Sequence, residues 1–88
     1  MKVEAQRAFQ KDIEKIKNRK LATKVSNVID ELEKCNSLSE IRNIKNIKAD
    51  GGYYRIRIGN YRVGLRHNLT TVILLRCMHR KDIYTYFP

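Results

Sequence analysis

Proline is almost missing from this chain and tryptophan is missing altogether; the one proline is Pro88, the last of 88 residues. No Pro-, Gly- or Ser-rich linker, repeat or low-complexity tract divides the sequence, so a single domain over residues 1–88 is expected, at a length where two would not fit. Long apolar runs are missing too. The longest is Val72 to Leu75, against the ~20 residues a membrane-spanning helix needs. No basic start leads into an apolar stretch with a small-residue cleavage site, so no secretory signal is expected. The two cysteines, Cys35 and Cys77, match no metal-ligand spacing and no disulfide framework. Cys77 is most simply a small buried hydrophobe, and the chain reads as soluble, reduced and cytoplasmic. What is scarcest is negative charge: 9 Asp+Glu stand against 19 Lys+Arg, a net charge of +10, while 42% hydrophobic residues are too many for a disordered chain.

The excess charge is unevenly placed. Residues 1–52 hold 12 basic and 8 acidic side chains, and nine of the basic ones are Lys. Residues 53–88 hold 7 basic and 1 acidic, and six of the basic ones are Arg. Lysine among glutamate is the composition of solvated helix faces. Arginine without counter-charge suits a polyanion, because the guanidinium fork grips two phosphate oxygens at once. Nucleic acid is the expected partner class, and the second part of the chain the expected site.

Apolar periodicity places the elements. Residues 2–5 suit a short leading strand. Phe9, Ile13 and Ile16 form one helical stripe with Lys11, Asp12, Glu14 and Lys15 outside it, and Asn18-Arg19 reads as a break. Leu21, Val25, Val28, Ile29 and Leu32 then mark a second amphipathic helix to about Cys35, tight enough on the first to form a helical hairpin. Ser37-Leu38-Ser39-Glu40 fits a capping box, the stretch to Lys48 carries no clear period, and Asp50-Gly51-Gly52 is a turn. From Tyr53 the period becomes two, with Gly59-Asn60 as a two-residue hairpin turn and residues 70–78 as a further, more apolar strand. The expected class is α+β, a small antiparallel sheet backed by the N-terminal helical hairpin.

The hairpin turn fixes a register that carries information. Ile58 should face Tyr61, Arg57 should face Arg62, and Arg55 should face Gly64. Ile56, Ile58, Tyr61 and Val63 then lie under the helices, while Arg55, Arg57, Arg62 and Arg66 share the other face with no acidic residue. Like charges directly opposed across strands are destabilising. A bound anion resolves that repulsion, whereas a solvated polar face would explain the alternation but not the missing carboxylates. Arg76, His79, Arg80, Lys81 and Tyr84 leave the last strand near the same place, and Tyr86 and Phe87 are expected as lids over the core.

Phe9-x-x-Asp12-x-x-x-Ile16, the run from Tyr53 to Gly64, and the ending His79-Arg80-Lys81-Asp82-Ile83-Tyr84-x-Tyr86-Phe87-Pro88 resemble the RelE toxins of the RelE/ParE superfamily of type II toxin–antitoxin systems. The resemblance covers nearly the whole chain. It implies a small sheet backed by a helical hairpin, and a metal- and cofactor-independent endoribonuclease that cuts messenger RNA on the ribosome. It also implies inhibition by a cognate antitoxin, no membrane partner, and operator DNA as a ligand of the toxin–antitoxin complex. Family positions for catalysis fall on Arg62, Arg80 and Tyr84. The two basic positions of the preceding strand fall on Arg55 and Arg57; RNA binding is expected of these and, from their charge and placement, of Arg66, Arg76, His79 and Lys81, although other family members hold a small residue where His79 stands. At Arg55 and Arg57 the better-known RelE proteins tend to carry lysine, and arginine is effectively always protonated. That leaves Tyr84, the favoured choice, and His79, the conventional alternative, as proton carriers.

RNA brings its own nucleophile, the 2′-OH, so the protein has to position it, neutralise developing charge and move protons. Lys11, Lys15, Lys17, Arg19, Lys20 and Lys24 on the helices are expected to dock ribosomal RNA. Two other readings compete. A non-catalytic ParE-like toxin acting on DNA gyrase would lack the clustered arginines, and a plain nucleic-acid-binding module would place stacking aromatics among them, where only Tyr53 stands.

Overall fold

The computed structural model describes residues 1–48 and 51–87. In chain order the elements are β1 (Lys2–Ala5), α1 (Arg7–Glu14), α2 (Arg19–Lys34), a 3-10 turn (Leu38–Glu40), β2 (Ile44–Lys48), β3 (Tyr53–Ile58), β4 (Tyr61–Asn68), β5 (Thr71–His79) and α3 (Arg80–Tyr86). Asp50, expected in the turn before β3, and Pro88 lie outside the described residues.

Local chemistry accounts for most boundaries. The α1 helix stops at Glu14, and its last turn tightens, Lys15 N donating to Asp12 O and Ile16 N to Ile13 O. Asn18 then caps α2, its Oδ1 accepting from Leu21 N at 3.1 Å. The capping box is formed as expected, with Glu40 Oε2 accepting from Ser37 N at 2.9 Å and Ser37 Oγ from Ser39 N at 3.3 Å. Gly59 takes the left-handed conformation (φ 59°) at the first position of the β3–β4 turn, where glycine has no Cβ to clash.

The sheet order is β1-β5-β4-β3-β2. β2 to β5 are antiparallel neighbours, but β1 runs parallel to β5 with Lys2 opposite Thr71. The sheet is therefore mixed rather than wholly antiparallel. The long crossover through the helices and three strands returns the chain beside its own start, which no two-residue period can signal. One face packs against α1 and α2: Phe9, Val25 and Leu32 meet Ile56, Val63, Leu65, Leu74 and Cys77 in one core. Each such large side chain, removed from water, contributes ~1.5–3 kcal/mol.

β5 changes phase along its length. Leu65 pairs with Leu74 but Gly64 pairs with Arg76, so Leu75 is an extra residue. That bulge turns Cys77 into the core and Arg76 to the opposite face. The third helix, unforeseen in the sequence, covers part of that face. Ile83 is fully buried beneath it, and the Phe87 ring lies so close to Gly64 that a Cβ there would sit 2.7 Å from it. Tyr53 meets Phe87 edge-on with centroids 5.9 Å apart. Phe87 is thus the lid. Tyr86, expected beside it, is 60% exposed, because the helical turn sends neighbouring side chains in different directions.

Asp12 was also expected outside the core, and it is 7% exposed. Its carboxylate accepts from Arg76 Nε (2.7 Å), Arg76 Nη2 (3.1 Å) and Cys77 N (2.9 Å), pinning α1 to the β5 edge beyond the end of β1. The hydrogen bond to Asp12 raises the Arg76 pKa further above its ordinary value. Arg76 also lies over the Tyr86 ring at 5.8 Å, so one side chain links α1, β5 and α3.

Candidate functional site

The β3–β4 register is the one the turn dictates: Arg57 opposite Arg62, Arg55 opposite Gly64, Tyr53 opposite Arg66. The β3 and β4 guanidinium groups on this face turn to neutral partners. Arg57 Nη2 donates to Asn43 Oδ1 at 3.1 Å, and Arg62 Nη1 to the Gly59 and Tyr61 carbonyls at 2.9 Å each. Arg55 lies over the Tyr84 ring, 4.7 Å from its centroid. Among the described residues the only ion pair is Asp12–Arg76, so these cations have no carboxylate. Burial, the largest cause, lowers the Arg62 pKa from its ordinary value; Tyr84 opposes the shift, and Arg55, Arg57 and Arg80 add like-charge repulsion to it. An anion in their midst would offset that repulsion.

A cleft of about 270 Å³ opens at this point. Arg55 and Arg57 from β3, Arg62 from β4 and Tyr84 from α3 line it, joined by Asn43 and Lys45 from the edge-strand region. Asn43 and Lys45 were missed in the sequence, where the stretch before Lys48 shows no clean period. Asn43 is held at φ 61°, an uncommon conformation for a residue with a side chain, and its carbonyl accepts from Arg57 N at 3.1 Å. It thereby holds both the backbone and the guanidinium of Arg57.

The other expected residues divide. Arg80 is exposed on the first turn of α3, near enough to bear on Arg62, with its backbone N donating to Asn60 O at 2.8 Å. Lys81 is exposed on the same turn. His79 caps α3, its Nδ1 accepting from Lys81 N at 3.1 Å, and its ring meets Tyr61 edge-on at 5.6 Å. It faces a groove shared with Asp12 and does not line the arginine cleft. Arg66 lies four residues along β4 from Arg62, ~13 Å away at strand spacing. There it donates to Gly51 O at 3.2 Å and lies over Tyr53. Arg76 is committed to Asp12 at the sheet edge.

A larger cleft, about 730 Å³, lies away from these groups, between β4, the 3-10 turn and the start of β1. Its charged groups are Lys2 and the Met1 ammonium, the latter already bonded to the carbonyls of Leu32, Glu33 and Cys35. Volume is a poorer guide here than converging charge.

The sequence model of the ParE toxin of type II toxin–antitoxin systems matches residues 3–84. The chain belongs to this family, within the RelE/ParE superfamily. Toxin RelE3 of Methanocaldococcus jannaschii is 42% identical over 89 residues, covering all of both chains. The toxin fold is also close to that in the RelB–RelE antitoxin–toxin complex of Methanococcus jannaschii, with a TM-score of 0.82, 39% identity, and 97% of this chain and 99% of that one covered. The RelBE2 complex of Mycobacterium tuberculosis follows at TM-score 0.67 and 29% identity, covering 90% and 96%. The RelE–RelB complex of Pyrococcus horikoshii shares the fold at TM-score 0.76 and 20% identity, over 90% and 93%. The α+β architecture is thus that of RelE toxins. No helix among the described residues is long and apolar enough to cross a membrane.

Proposed function

We propose that this toxin is a ribosome-dependent messenger RNA endoribonuclease acting in the cytoplasm and held inactive by a cognate antitoxin. The observation that carries the reading is the cleft in which Arg55, Arg57 and Arg62 converge beside Tyr84 without a carboxylate. Arg62 and Arg80 clamp the scissile phosphate, and Tyr84 assists removal of the 2′-OH proton. The 2′-oxygen attacks phosphorus, the bond to the 5′-oxygen breaks, and the products are a 2′,3′-cyclic phosphate and a 5′-hydroxyl. Transition-state contacts of this kind are worth ~3–4 kcal/mol each. With so few groups able to carry a proton, alignment of the message by the decoding site supplies the rest.

Lys11, Lys15, Lys17, Arg19, Lys20 and Lys24 are all exposed on or between α1 and α2, suited to docking ribosomal RNA. The RelB–RelE complexes of the relatives support an antitoxin partner, and the arginines without a carboxylate suit one that is acidic where it meets them. The experiment is to add the purified toxin to translating ribosomes and map message ends. Cleavage lost in Arg62→Ala and Arg80→Ala supports the reading. Parent-rate cleavage by both variants overturns the roles given to Arg62 and Arg80, and an intact message with inhibited DNA gyrase overturns the reading in favour of the ParE-like activity that the family match also admits.

A further inference from the structure

We propose that Lys45 is a catalytic residue, the general acid that protonates the departing 5′-oxygen. The assignment rests on the endoribonuclease reading above. That reaction moves two protons, one off the 2′-oxygen and one onto the 5′-oxygen. The three arginines of the cleft serve neither well, because a guanidinium holds its proton throughout the accessible pH range. Tyr84 and Lys45 are the remaining lining residues whose side chains exchange protons. His79, the conventional choice, is turned away and spends Nδ1 on the cap of α3.

The placement of Lys45 fits the role. Ile44 pairs with Ile56 of the core face, so its neighbour Lys45, opposite Arg55, belongs to the arginine face. Arg55 in turn lies over the Tyr84 ring, so Lys45 and Tyr84 flank Arg55 in one cleft from two different elements, β2 and α3. In-line displacement needs that separation, because the attacking and leaving oxygens stand on opposite sides of phosphorus. Asn43, two residues before Lys45, ties the start of β2 to Arg57 through both its carbonyl and its side chain. An edge lysine serving only to protect the strand would need no such anchoring.

The step balances. As the bond from phosphorus to the 5′-oxygen breaks, that oxygen takes a proton from the Lys45 ammonium and leaves as a hydroxyl, and Lys45 becomes a neutral amine. The 2′-oxygen proton passes to the Tyr84 phenolate as the new bond to phosphorus forms. Solvent then returns a proton to Lys45 and removes one from Tyr84.

The test compares the parent toxin with Lys45→Arg in single-turnover cleavage of ribosome-bound message. One message carries the natural 5′-oxygen at the scissile bond, the other a 5′-sulfur, which departs as thiolate without a proton. Lys45→Arg keeps the charge, and the exposed side chain leaves folding unaffected, checked by thermal melt. Expected are unchanged ribosome binding, a loss of ~10²-fold or more on the oxygen substrate, and near-parent cleavage of the sulfur substrate. Equal losses on both substrates, or no loss on either, overturn the assignment while leaving the endoribonuclease reading intact. A parent that cuts neither substrate overturns both.

Discussion

Removing the Asp12 carboxylate should be the most damaging change at a polar position of α1. Asp12→Ala deletes three acceptor contacts at once and strands the Arg76 guanidinium and the Cys77 N–H at the edge of β5. Breaking a buried ion pair by removing one partner costs ~3–5 kcal/mol. Arg76 keeps 27% of its side chain exposed and regains some water, which places the loss near ~3 kcal/mol. A domain of this size holds about 4–13 kcal/mol in total. With a urea slope of ~1 kcal/mol per M, the midpoint should fall by roughly 2–3 M. Adding Arg76→Leu to Asp12→Ala removes the stranded charge and should recover ~1–2 kcal/mol of the loss. Amide exchange should quicken in α3 as well as α1, because Arg76 reaches Tyr86. A midpoint shift below ~0.5 M for Asp12→Ala would refute the pinning of α1 by this carboxylate.

Arg62→Ala should leave the urea midpoint unchanged or raised, since it relieves the direct opposition of Arg57 and Arg62, while cleavage of ribosome-bound message falls by ~10²-fold. Gly64→Ala should drive Phe87 off the sheet, lowering stability by ~1–3 kcal/mol and making the C-terminal helix sensitive to limited proteolysis. Burial pushes the Cys77 thiol up from 9.0 to about 12, with Asp12 adding to the shift. The folded state therefore holds a proton that the unfolded state releases, so this contribution is complete below pH 9.0 and is lost as pH rises towards about 12, at ~1.4 kcal/mol per pH unit. Cys77→Ala should flatten that alkaline decline in urea titrations, and the native thiol should resist alkylation at pH 8.

What the sequence alone determined is what repeats locally. The two-residue period from Tyr53, interrupted at Gly59-Asn60, set the β3–β4 register and with it the opposition of Arg57 and Arg62, because a two-residue turn leaves one pairing. The 3.6-residue stripes set the core faces of α1 and α2, and Ser37 with Glu40 set the capped turn, each within four residues of chain. Tertiary structure decided the rest. The parallel pairing of β1 with β5 joins residues some seventy positions apart, and the Asp12–Arg76 pair joins residues 64 apart. The extra residue at Leu75 reverses which side chains of β5 meet the core, and a single sequence has no period to mark it. Asn43 and Lys45 reach the cleft only because β2 pairs with β3, and Tyr84 only because α3 folds back over Gly64, whose missing side chain leaves room for Phe87. Periodicity encodes the face a side chain takes within its own element; which faces then meet depends on contacts between elements, and those are written in pairs of distant residues.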